Sequence, residues 1–154
     1  MTEQAALPVP DAPPWHGFHH LALLTPDLDA TLAFYQDVLG MAVLGPLPGN
    51  PLHGRHALVR VGEPTPGGLH FFEVPGAHIP TYPLERGLAF PVDFGALHHI
   101  SLALPDEAAG LALRERLSRF GVTMTPVLPQ GDVNITLFPD NNGMFLEAAW
   151  PRTR

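Results

Sequence analysis

A histidine pair occurs twice in this chain of 154 residues, and each time it opens the same run. His19-His20-Leu21-Ala22-Leu23 leads into Thr25-Pro26-Asp27, and His98-His99-Ile100-Ser101-Leu102 leads into Pro105-Asp106-Glu107. The copies start 79 residues apart. In a chain this short, a repeat of that size means two similar modules. It also sets one histidine at the same place in each module, a natural beginning for a metal site across a pseudo-twofold.

Each copy reads as β-α-β-β-β. In the first, residues 18–24 read as a strand. Thr25 suits an N-cap and Pro26 the first helical position. Leu28, Leu32, Tyr35 and Leu39 keep helical spacing up to Gly40. Strands are predicted near 41–45, 55–61 and 68–74. In the second, 98–104 reads as a strand and 105–120 as a helix with Leu113, Leu117 and Phe120 on one face. Strands are predicted near 122–127, 132–138 and 143–150. The fold class is therefore α+β, a single domain over 17–150. Module one is 17–74, a connector is 75–95, and module two is 96–150. Residues 1–16 hold Pro8, Pro10, Pro13 and Pro14 and read as a flexible arm. The connector is long and carries Tyr82, Phe90 and Phe94, which suits a segment that shapes a pocket.

Composition narrows the chemistry. With no cysteine, disulfides, thiolate metal sites and cysteine nucleophiles are excluded. All eight basic residues are arginine, so no Schiff base can form on lysine. Any metal must take imidazole, carboxylate or water, which suits Fe(II), Mn(II), Ni(II), Co(II) or Zn(II). A net charge of −7 argues against nucleic acid or an anionic membrane as partner. No apolar run approaches the roughly 20 residues that span a bilayer, and no signal peptide is visible, so a cytoplasmic location is expected.

Strand alternation sorts the candidates. His99, Ser101 and Ala103 share a small, polar face, while His98, Ile100, Leu102 and Leu104 share a large, apolar one. By the same alternation His20 pairs with Ala22, so His20 and His99 are expected in a cavity. Glu147 is the lone charge in the apolar run 143–150. A lone carboxylate there is costly to bury unless paired or metal-bound. Two histidines and a carboxylate match the facial triad of non-haem metal enzymes. Reading Ala57, Val59 and Val61 as core turns His56, Leu58 and Arg60 to the cavity. Reading Val133, Ile135 and Leu137 as core turns Asn134 and Thr136 there.

These residues carry a resemblance. His20-Leu-Ala-Leu with Phe34-Tyr35-Gln-Asp-Val-Leu-Gly40, and His99-Ile-Ser-Leu with Pro139-Asp-Asn-Asn-Gly143-Met-Phe-Leu-Glu147, resemble the vicinal oxygen chelate superfamily. That superfamily includes glyoxalase I, extradiol dioxygenases, and fosfomycin- and bleomycin-resistance proteins. The resemblance covers about residues 17–150. It implies a cupped mixed sheet of two βαβββ modules around one divalent metal, with His20, His99 and Glu147 as ligands. It also implies a fourth position in Gly68–Glu73. Counting from the glycine puts Phe72 there, and the F-x-E texture puts Glu73 there. Our expectation is that His70 and Phe72 face the cup and Glu73 does not.

The resemblance implies an extradiol-type dioxygenase with Fe(II) as first choice of metal, acting on a small catechol or enediol-forming substrate. The alternatives are a glyoxalase-like lyase or isomerase and a metal-free binding protein. The tyrosine of the dioxygenases is missing, since Leu137 stands at its position. His56, His70, His78, Tyr82 and Glu73 are the candidates for the acid–base role. Arg60, Phe72, Asn134 and Thr136 are the candidates for substrate contact. Relatives of this kind often pair, so a homodimer is expected.

Overall fold

The computed structural model describes residues 18–62, 68–87 and 97–152. The Pro-rich arm, Phe90 and Phe94 lie outside the described residues. Two four-stranded mixed sheets make up the fold, one per module. In the first sheet, β1 (His20–Thr25), β2 (Val43–Leu47), β3 (His56–Arg60) and β4 (Gly68–Glu73) lie in the order β1-β4-β3-β2. In the second, β5 (His99–Ala103), β6 (Leu128–Gln130), β7 (Val133–Pro139) and β8 (Phe145–Pro151) lie in the order β5-β8-β7-β6. The first strand of each module pairs in parallel with the last, and the remaining pairings are antiparallel.

The helices start two residues later than the sequence suggests. Helix α1 (Leu28–Ala33) is capped by Asp27, whose carboxylate accepts from the Ala30 amide at 2.9 Å. Thr25 is instead the last residue of β1, with its hydroxyl 2.7 Å from that of Thr31. A π-helical turn (Phe34–Val38) extends α1 to Gly40, whose φ of 72° ends it. The short helix α2 (Leu84–Gly87) lies in the connector. Helix α3 (Glu107–Arg119), predicted from 105, is capped by Asp106. Phe120 falls past its end and is half exposed, beside the Arg116 guanidinium. The strand predicted at 122–127 is displaced to β6. Pro126 has no N–H to offer a ladder, and the Thr125 hydroxyl takes the Leu137 amide at 3.0 Å.

One core serves both modules. Leu28, Leu32, Tyr35, Val59, Leu69 and Phe71 from the first join Leu117, Phe138, Leu146 and Trp150 from the second. The helix-side faces of both sheets therefore contribute to it. The Tyr35 hydroxyl donates to Asp140 at 3.0 Å, and the Arg116 guanidinium donates to the Asp37 and Val38 carbonyls at 2.6 Å each. Burial raises the Asp140 pKa, and burial together with that carboxylate raises the Tyr35 pKa well above its ordinary value.

Helix α3 sits tightly on β8. A Cβ at Gly110 would lie 2.5 Å from the Trp150 ring. The Gly110→Ala variant is predicted to lose about 1–3 kcal/mol of unfolding free energy through overpacking. Urea denaturation checks this, and a midpoint equal to the parent's would contradict the packing described.

Candidate metal centre

Strand register decides which side chains share a face, because residues paired across a ladder point the same way. In module one, His20 is level with Gly68 and Arg60, Ala22 with His70 and Leu58, and Leu24 with Phe72 and His56. These rows form the face turned away from the helices. In module two, His99 is level with Phe145, Ser101 with Glu147 and Leu137, and Ala103 with Ala149 and Ile135.

This register corrects one reading. Leu137 and Ile135 lie on the Glu147 face, so Asn134 and Thr136 lie on the helix side. Thr136 is fully buried there and accepts from the Arg114 guanidinium. The sequence shows apolar residues at 133, 135 and 137 and polar ones between, which looks like core against cavity. The pattern inverts because Arg114 satisfies a buried threonine while the opposite face of β7 carries the equally buried Ile135 and Leu137.

The register puts His70 on the expected cup face and adds an equivalence the sequence reading had not drawn. Two residues after His99, Ser101 is level with Glu147; two residues after His20, Ala22 is level with His70. His70 is therefore the pseudo-twofold mate of Glu147. Counting from the glycines had put Phe72 there. That count fails because Gly143 lies in the turn before β8, with φ 84°, whereas Gly68 is itself the first residue of β4.

The structure brings the candidates together in two groups. In module two, His99 Nε2 lies 3.7 Å from Glu147 Oε2, with the side chains 25% and 14% exposed. The Ser101 hydroxyl donates to Glu147 Oε1 at 2.7 Å. Glu147 is thus not an edge residue in solvent, since β8 runs between β5 and β7. In module one, the His20 and His70 rings meet edge to face at 5.4 Å, and His70 Nε2 is 2.8 Å from His56 Nδ1. His56 stacks on Phe72 at 5.6 Å, with His53 against both. Burial, then the neighbouring His56, His20 and His53, lower the His70 pKa.

An apolar cavity of about 460 Å³ between β1 and β5 is lined by both His20 and His99. Among the described residues, no three potential ligands of one chain gather into a single metal shell. The His99–Glu147 spacing fits two donors of one divalent ion, each reaching about 2.0–2.2 Å.

Glu73 lies on the helix side. Its carboxylate takes two hydrogen bonds of 2.8 Å from Arg55 and one of 3.1 Å from the Leu28 amide at the start of α1. His78 is exposed in the connector. The Tyr82 ring packs edge-on against Phe145 at 4.7 Å, next to the His98–His99 strand start.

Residues 17–147 match the Glyoxalase/Bleomycin resistance protein/Dioxygenase superfamily. The chain belongs to that superfamily. Similar folds include a glyoxylase/bleomycin resistance protein/dioxygenase domain from Frankia sp. EAN1pec. It is 23% identical, with TM-score 0.70, over 90% of this chain and 99% of that one. A lactoylglutathione lyase from Agrobacterium tumefaciens is 19% identical, with TM-score 0.63, over 90% and 96%. TnmS3, an antibiotic binding protein from Streptomyces sp. CB03234, is 19% identical, with TM-score 0.65, over 92% and 100%. No curated protein matches the sequence. As in the superfamily, the fold is two βαβββ modules with mixed sheets. Among the described residues no helix is long and apolar enough to cross a membrane.

The Arg55 hydrogen bonds, and then the Leu28 amide, lower the Glu73 pKa from 4.5 to about 2. A depressed carboxylate pKa contributes stability above the unfolded value, which is lost as pH falls through the folded one. The Glu73→Gln variant is therefore predicted to melt below the parent at neutral pH. The gap should stay constant down to pH 4.5 and close toward pH 2. Circular dichroism melts check this, and a gap unchanged across that window would contradict it.

Proposed function

We propose that this superfamily member is a divalent-metal enzyme of the extradiol dioxygenase type, acting on a small catechol or enediol-forming substrate. The metal ligands are His20, His99 and Glu147. This two-imidazole, one-carboxylate set suits Fe(II) with coordination positions left for substrate, although Mn, Ni, Co and Zn share the same donors. The observation that carries the reading is the 3.7 Å approach of His99 Nε2 to Glu147 Oε2 on adjacent strands. When bound, the metal supplies Lewis acidity, a template for two neighbouring substrate oxygens and, as Fe(II), reactivity toward O₂.

The chain's own residues do the rest. His70 stands beside His20 and accepts a proton from a substrate hydroxyl, with His56 at 2.8 Å holding its ring in place. Phe72, stacked with His56, offers a flat apolar wall for a ring. Arg60, level with His20, suits an anionic substituent. Glu73 is held by Arg55 on the opposite face and supplies no further carboxylate to the site, where His70 takes the place equivalent to Glu147.

Because His20, His99 and Glu147 of one chain do not gather into a single metal shell among the described residues, we assign the working unit as a homodimer. His20 of one copy then completes the site with His99 and Glu147 of the other. Leu24 and Leu44, half exposed on the open face of the first sheet, suit burial there.

Metal analysis of purified His99→Ala and Glu147→Ala should show occupancy lowered by more than the roughly 10–100-fold typical of outer-shell changes. Occupancy equal to the parent would sink the assignment. His20→Ala and His99→Ala, each inactive alone, should regain part of the metal and activity when refolded together, since a mixed dimer keeps one intact site. No recovery would place the site within one chain. Oxygen uptake by the Fe(II)-loaded parent with a catechol panel tests the reaction. Tight catechol binding without uptake would favour the metal-free or lyase-type readings.

A further inference from the structure

The doubled histidine is more than a repeat marker. His19 and His98 each precede the first strand of their module by one residue, so alternation does not force their rings to the opposite face. Both rings turn onto the neighbouring imidazole in the same way. His19 Nδ1 lies 2.9 Å from His20 Nδ1, with ring centroids 5.1 Å apart and planes at 80°. His98 Nδ1 lies 2.7 Å from His99 Nδ1, with centroids 5.0 Å apart and planes at 78°. The same contact thus recurs with the repeated histidine pair in both modules.

A hydrogen bond between two Nδ1 atoms occupies one nitrogen of each ring. It leaves Nε2 as the only ring nitrogen that His20 or His99 can present elsewhere. In module two the direction is visible, because His99 Nε2 is the atom aimed at Glu147 Oε2. The same logic holds for the carboxylate. Ser101 occupies Oε1, and Oε2 is the oxygen that faces His99. Each donor atom pointing at the proposed ion therefore belongs to a side chain whose other polar atom is tied down.

We propose that His19 and His98 are positioning residues that orient His20 and His99 to bind metal through Nε2. The inference rests on the reading of His20, His99 and Glu147 as ligands. An imidazole suits this task because it can accept the Nδ1 proton that a metal-bound ring carries and can donate when the metal is absent. Ligating histidines usually direct their second nitrogen to a carboxylate, carbonyl or water. Here a second histidine takes that place in both modules.

The test is calorimetric titration of the metal-stripped full chain with Zn²⁺, comparing the parent with His19→Ala, His98→Ala and His98→Asn. The alanine variants should bind about 10–100-fold more weakly. His98→Asn, whose amide oxygen can stand in for Nδ1, should recover most of that loss. Long-range ¹H–¹⁵N spectra of the Zn²⁺-loaded parent should show His20 and His99 protonated at Nδ1 and ligated through Nε2. The His19 ring is exposed, so His19→Ala is expected to fold even where His98→Ala does not. Parent-like affinity in His19→Ala, or ligation through Nδ1, overturns the proposal while leaving the ligands standing. A parent that takes up no Zn²⁺ overturns the ligand reading and this inference with it.

Discussion

The parallel pairing of the first and last strand in each module is the constraint on which the rest depends. It sets Ala22 level with His70 and Ser101 level with Glu147. A slip of one residue in either ladder would carry His70 or Glu147 through the sheet to the helix side. The core resists that slip. Leu69 and Phe71 on one strand and Leu146 and Ala148 on the other are buried by the same register that exposes the polar residues between them. Burial of the apolar set and presentation of the polar set are thus one event.

The two modules are joined by polar contacts placed inside an apolar interface. Asp140 gathers the Asn142 and Met144 amides at 2.8 and 2.9 Å as well as the Tyr35 hydroxyl. An ionised carboxylate taken from water needs that many donors to remain stable. The turn that leads into β8 is therefore tied to α1 of the other module. The strand carrying Glu147 begins five residues after the residue that closes the interface. Packing of the modules and placement of the carboxylate are mechanically linked.

Much of this was legible in the sequence. The duplicated His-His opening announced two modules, and alternation put His20 with Ala22, His99 with Ser101, and His70 with Phe72. Helix spacing identified Leu28, Leu32 and Tyr35, all of which are buried. What alternation could not settle was which face of a strand is core when both faces are partly apolar. Asn134 and Thr136 were misplaced for that reason, since a buried threonine is invisible without its partner Arg114. The equivalence of His70 and Glu147 was hidden by a turn glycine that resembles a strand glycine. Counting from the histidine pairs does not find it either, since 50 residues separate His20 from His70 and 48 separate His99 from Glu147. The ring partners of His20 and His99, which are His19 and His98, had no signal beyond adjacency, because a hydrogen bond between neighbouring rings is a matter of rotamer rather than pattern.

The most direct test of the central claim is a crystal structure of the Fe(II)- or Zn²⁺-loaded protein with the metal located by anomalous scattering. The account predicts one ion per chain, with His20 Nε2, His99 Nε2 and a Glu147 oxygen at about 2.0–2.2 Å. An ion bound elsewhere, or one bound without Glu147, would contradict it.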